Sequence, residues 1–134
     1  MREIIFRGKR IDNGEWVEGY FVNLWLIHYQ KHQPIITDNN AVSYDVDPST
    51  VGQYTGLTDK NGKKIFEGDI VAIERGRNET VKYHVFFDPQ ICGFIGDSIN
   101  YIGFTTFGDD GINMEVIGNI HDNPELLEDF NVEE

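Results

Sequence analysis

Few residues of this sequence have the types and spacing that chemistry requires. His28 and His32 lie four residues apart, which would place both imidazoles on one face of a helix and suit a metal ion. The apolar run over residues 24–27 favours a strand, however, and Pro34 is expected to end it. We therefore expect no metal site at these histidines.

A second candidate is the segment that starts at Asp59. Asp59-x-Asn61 matches the opening of a calcium-binding loop, but Lys63 stands at its fifth position. The twelfth position, where such a loop needs a bidentate glutamate, is Ile70. A turn explains the segment better than a calcium-binding loop does.

The other reactive side chains lack a partner at a recognisable spacing. Glu67 and Asp69 could form a carboxylate pair for acid and base catalysis, but the glycine between them is typical of a bend. Cys92 has no basic neighbour to activate its thiol, so a buried, inert thiol is expected. Neither His84 nor His121 has an evident nucleophile to serve. We expect no catalytic residue, no cofactor and no enzymatic activity.

Charge is distributed unevenly along the 134 residues, whose formal net charge is −12. All 11 lysines and arginines lie between Arg2 and Lys82, together with 12 acids, whereas residues 83–134 hold 11 acids and no base. This distribution argues against a general nucleic-acid binder, because phosphate contacts depend on lysine and arginine. Two alternatives stay open: acidic mimicry of DNA, or weak binding through the basic residues Arg7, Lys9, Arg10, Lys60, Lys63 and Lys64.

Composition predicts a single domain in the cytoplasm. Hydrophobic residues make up 40% of the chain and aromatic residues 13%, which suffices for one core. The single cysteine does not indicate an oxidising compartment. The first residues do not resemble a signal peptide, and we expect no membrane association.

The elements that must position these side chains are mainly β-strands. Asn13-Gly14 and Asn61-Gly62 predict two tight hairpin turns. They join residues 4–7 to 15–22 and residues 53–57 to 63–66, and a third hairpin is expected over residues 35–46. Further strands are predicted at 24–29, 70–73, 81–87, 91–94, 101–107 and 114–117, with a turn at 109–111. Those at 91–94 and 101–107 are rich in glycine, aromatic and β-branched residues, which is typical of curved strands in a small barrel. Only the segment after Asp122 predicts a helix, since a proline and acidic residues follow this cap.

These motifs resemble the YopX family. The resemblance rests on FRGK at residues 6–9, NGEWVEGY at 13–20, QYTGL at 53–57, DKNGKKIFEGDIV at 59–71 and VIGNIHDNPELL at 116–127. It implies a mainly β fold with an SH3-like barrel, and a protein encoded by phages or prophages of Gram-positive bacteria. The family has no agreed biochemical activity. The expected organisation is one domain over 1–134, with an N-terminal β-hairpin region at 1–48 and an SH3-like barrel plus a short C-terminal helix at 49–134.

The remaining functional hypothesis is recognition through exposed aromatic rings. Alternating strands cannot bury every ring of the N-terminal half, so some should be available to a protein partner or to another copy of the chain. The alternative is that these rings complete a second small core. The candidates for partner binding are Trp16, Tyr20, Trp25, Tyr29, Tyr54 and Phe66.

Overall fold

The chain folds into short antiparallel strands, as the sequence predicts. The computed structural model describes residues 3–76, 78–100, 103–107 and 113–131. Its strands are β1 (Phe6–Lys9), β2 (Trp16–Leu26), β3 (Lys31–Thr37), β4 (Ser43–Asp45), β5 (Gly52–Thr58), β6 (Lys64–Phe66), β7 (Asp69–Gly76), β8 (Glu79–Asp88), β9 (Gly93–Ser98), β10 (Phe104–Thr105) and β11 (Met114–Asn119). Two 3₁₀ segments, Pro48–Thr50 and Pro124–Asn131, complete the described elements. The mainly β prediction is confirmed.

Two compact units divide the chain, Met1–Tyr54 and Thr55–Glu134. In the first unit the strand order is β4-β3-β2-β1-β5. The predicted turn between β1 and β2 is present, with Gly14 at a φ of 75°. Its buried side chains include Ile36 and Val46, which pack close to Gly8 on β1.

Proline is accommodated inside a strand of this unit. Pro34 does not end a strand, as the sequence analysis expected, but lies within β3 opposite Asn23 on β2. It gives up one backbone donor, yet its carbonyl oxygen still accepts a hydrogen bond from the Val46 amide at 3.1 Å. The strand therefore continues through it.

The second unit contains a five-stranded sheet in the order β10-β9-β8-β7-β11. Strands β7 to β10 follow one another as a meander, and β11 returns to pair with β7, with a register shift between Val116 and Gly118. Within the described residues no pairing joins β10 to β11, so the sheet is open and a closed barrel is not confirmed. In β8, Val81, Tyr83 and Val85 point into the core, as the alternation predicted.

The hairpin from β5 to β6 is also present. Gly62 has a φ of 81°, and the Asp59 amide donates to the Lys63 carbonyl at 2.8 Å across the turn. The predicted bend at residues 67–69 then leads into β7. Both predictions are confirmed.

Two predictions need correction, and two others lie wholly or partly outside the described residues. The C-terminal helix is a 3₁₀ segment, in which the Leu126 amide donates to the Asn123 carbonyl at 3.0 Å. Cys92 is exposed in the β8–β9 turn, with a φ of 54°, so the expected buried thiol is wrong. The turn predicted at 109–111 and the first residues of the strand predicted at 101–107 are not among the described residues.

Candidate interaction surface

In the first unit, β2 and β3 extend beyond the neighbouring strands β1 and β4 as a two-stranded ribbon. β1 pairs with β2 only from Trp16 to Gly19, whereas β2 pairs with β3 as far as Leu26 and Lys31. On the other side β4 pairs with β3 from Ile35 onward. Residues 23–33, here called the arm, therefore pair with no further strand of the described structure on their outer edges.

The arm turns through residues 27–30. The Tyr29 amide donates to the Leu26 carbonyl at 3.1 Å, and Gln30 adopts a left-handed φ of 51° that brings the chain back into β3. A left-handed residue at the end of a four-residue loop is a common way to close a hairpin. The local sequence thus supports a defined turn at the tip of the arm.

Large apolar side chains are exposed on the arm. Trp25 is 50% exposed, Ile27 71% and Tyr29 74%. The Trp25 ring meets His32 on the opposite strand, with ring centroids 5.0 Å apart and an edge-on orientation. Tyr20, Val22 and Leu24 are exposed as well and share the face of β2 opposite to Trp25, so both faces of the ribbon carry exposed apolar side chains.

Charge on the arm differs from charge on the rest of the chain. Residues 19–37 contain no aspartate or glutamate, although the chain holds 23 acids. The basic side chains of this segment are His28, Lys31 and His32. An exposed apolar ribbon without acids is typical of a contact surface rather than of a solvating face.

The six predicted aromatic candidates do not form one surface. Tyr20, Trp25 and Tyr29 are exposed on the ribbon. Trp16 is half-buried, because the Arg7 guanidinium lies 4.6 Å from its ring centroid and the Lys9 ammonium 5.5 Å. Tyr54 and Phe66 are buried in the interior of the described structure and offer little surface to a partner. The sequence did not mark Ile27, which the structure adds to the candidates.

Asp59 has a structural role that the calcium-loop comparison missed. Its Oδ1 accepts the amides of Asn61 and Lys63, each at 2.9 Å, and its Oδ2 accepts the Val116 amide on β11 at 2.9 Å. Burial raises the pKa of this carboxyl, but the three amides together outweigh burial and lower the pKa below its usual value. The carboxylate ties the β5–β6 turn to the five-stranded sheet.

The other predicted reactive groups are also engaged in the fold. Asp69 is buried and its Oδ2 accepts the Phe66 amide at 2.8 Å, as expected of a bend. His84 lies opposite Asp97 across the β8–β9 pair. Burial lowers the pKa of His84 and nearby His121 lowers it further, while Asp97 opposes both. Among the described residues no three metal-binding side chains of the His, Cys, Asp or Glu type converge.

A recess lies on the first unit, away from the arm in sequence. Its volume is about 420 Å³ and it is lined by Arg10, Ile11, Asp12, Ser43, Tyr44 and Asp45. The Arg10 guanidinium donates to Asp12 at 2.7 and 3.0 Å and lies 4.7 Å from the Tyr44 ring centroid. Asp12 therefore already neutralises the positive charge that Arg10 would offer to an anion in the recess.

The basic residues considered for nucleic acid are distributed over both units. Arg7 is buried, Arg10 pairs with Asp12, and Lys60 lies 3.7 Å from Glu115. Most of these cations are thus placed beside rings or carboxylates rather than gathered on one open face.

None of the described helices has the length or the apolar character needed to span a bilayer.

Comparison with known proteins identifies the family. The model of the YopX protein family matches residues 5–128, which is nearly the whole chain. The chain belongs to the YopX family. A solved structure of protein EF1440 from Enterococcus faecalis is similar at 24% identity, with a TM-score of 0.60, covering 96% of this chain and 100% of that one. At this identity the likeness concerns the fold alone. A comparison with curated proteins found no significant match.

Proposed function

We propose that this YopX-family chain is a non-enzymatic phage or prophage protein that acts in the bacterial cytoplasm by binding protein. The observation that carries the proposal is the arm, where Trp25, Ile27 and Tyr29 are exposed on a ribbon without acids. A two-stranded ribbon is marginally stable in water by itself, and burial of its rings against a partner would stabilise it.

The interior supports a binding role over a catalytic one. Asp59 and Asp69 accept backbone amides. These groups stabilise turns and strand ends, so their hydrogen-bonding capacity is used by the fold. A catalytic acid or base must instead direct a proton donor or acceptor at a substrate.

We further propose that the second unit is an SH3-like barrel. The support is its strand order, a four-stranded meander whose fifth strand returns to the first, together with a bulge in β11. Bulges are a common device for curving small barrels. An experimental structure with β10 paired to the far edge of the sheet would establish closure.

Affinity capture with an arm variant tests the binding role. The double variant Ile27→Glu and Tyr29→Glu places charge on two side chains that are largely exposed, so folding should be retained. Wild-type protein should capture proteins from phage-infected cells, including untagged copies of itself, that the double variant loses. Ile11→Glu, at another exposed isoleucine, is the matched control and should capture as wild type does. Equal capture by wild type and the double variant would refute a role for the arm.

A further inference from the structure

We infer that the arm of one copy binds a second copy of this chain at the β8–β9 turn. This inference rests on the proposed binding function and names the partner. The receiving surface, here called the turn patch, consists of Phe87, Asp88, Ile91 and Phe94. Both surfaces consist of residues that the structure describes.

The turn patch has an apolar centre where the core of the second unit ends. Phe87 is 42% exposed and Ile91 53%. Phe87 and Phe94 face each other across β8 and β9, with ring centroids 5.4 Å apart and an edge-on orientation. Phe87 continues the buried row of Val81, Tyr83 and Val85, so the core face of β8 emerges into solvent at this point.

Charge on the turn patch is complementary to charge on the arm. Asp88 gives the patch a negative charge, and no residue of the patch is a lysine or arginine. The arm supplies Lys31 with His28 and His32, and no acid. Opposite charges around an apolar centre guide association and fix its register.

An arm-to-arm contact between copies is disfavoured by the same charges. It would place Lys31 of one copy against the arm of the other, which has no acid between residues 19 and 37. Binding the turn patch instead brings Lys31 of one copy to a surface that carries Asp88. Each contact therefore joins two different surfaces, the arm of one copy and the turn patch of the other.

The contact has a consequence for size. Each copy offers one arm and one turn patch. Two copies that each place their arm on the other's patch use both contacts and close as a symmetric dimer, whereas copies that bind head to tail continue into a ring or a longer array. Association therefore yields a dimer or a larger assembly.

Mixing two disabled variants tests this arrangement in purified protein. The arm variant carries Ile27→Glu and Tyr29→Glu, the patch variant carries Ile91→Lys, and Ile11→Glu is the control. Light scattering coupled to size exclusion should show a dimer or a larger species for wild type and the control. Each disabled variant alone should be monomeric, because one half of every contact is lost. Their equimolar mixture should yield a dimer that grows no further, joined by the intact patch of one variant and the intact arm of the other.

Two results would overturn the inference. The first is a wild type that stays monomeric at all concentrations, and the second is a mixture of disabled variants that stays monomeric. If wild type is monomeric while capture from infected cells still depends on the arm, the proposed function stands and its partner is a different protein. Circular dichroism of each variant confirms that a loss of association is not a loss of folding.

Discussion

At the scale of single residues, side chains that could do chemistry are used here to hold the backbone. Asp59 is the best example, since its two oxygens accept three amides from a turn and from a distant strand. Sequence reasoning predicted the turn from Asn61-Gly62 but not the bond to Val116, which lies 57 positions away. Local spacing indicates local hydrogen bonds, whereas a partner on another strand depends on tertiary packing.

The substitution Asp59→Asn tests this role. The amide nitrogen of asparagine cannot accept from the Val116 amide, so we expect the free energy of unfolding at pH 7 to fall by about 2 kcal/mol. Since the folded-state pKa of Asp59 is lowered, its carboxylate stabilises the fold above about pH 3.9, and this contribution is lost as the pH falls through the lower folded-state value. The difference between wild type and variant should therefore shrink in acid.

Urea unfolding of both proteins across this pH range is the measurement. Asp45→Asn, at an exposed aspartate on β4, serves as the control and should unfold as wild type does. A difference between wild type and Asp59→Asn that stays constant down to the lowest pH would contradict the charge-dependent part of the expectation.

At the scale of elements, the sequence predicts the hairpins but not which face of each strand is buried. The Asn-Gly turns and the alternation in β8 predicted strand positions, because turn conformation and side-chain period are local properties. Nothing local distinguishes Tyr54, which is buried, from Tyr20, which is exposed. That difference depends on whether another layer covers the face. Cys92 was misplaced because its apolar neighbours suggested a buried strand, whereas it lies in a turn to which alternation does not apply.

Close approach of β2 and β3 gives a prediction at this scale. A Cβ at Gly19 would overlap the backbone carbonyl of Thr37 on β3. Gly19→Ala should therefore push the two strands apart and destabilise the first unit by about 1–3 kcal/mol. Thermal unfolding measures the loss. Gly93→Ala is the matched control, since its added Cβ would lie 3.8 Å from the nearest atom, the Ile91 carbonyl oxygen. Equal stability of the two variants would show that the strands can separate without cost.

At the scale of the whole molecule, charge is concentrated in the second unit. Residues 1–54 hold 5 bases and 7 acids, and residues 55–134 hold 6 bases and 16 acids, so their formal charges are −2 and −10. Repulsion among like charges destabilises a compact state and is screened by salt. Composition alone reveals this imbalance, but not which carboxylates accept hydrogen bonds.

Salt should therefore stabilise the dilute protein. We expect the Tm to rise by on the order of 2–5 °C between low and moderately high sodium chloride concentration, as repulsion is screened. Differential scanning calorimetry measures the shift. A variant with Glu125→Gln and Glu128→Gln, two exposed acids, should show a smaller rise. A Tm that falls with added salt would indicate that attractive ion pairs outweigh repulsion.

The position of Lys31 has one further consequence. It is the only lysine or arginine between Arg10 and Lys60, and it is exposed where the ribbon re-enters β3. Trypsin, which cleaves after basic residues, therefore has a single target in that long interval, and it lies at the tip of the ribbon. Slow cleavage there would report an occupied ribbon, and rapid cleavage would report a vacant one.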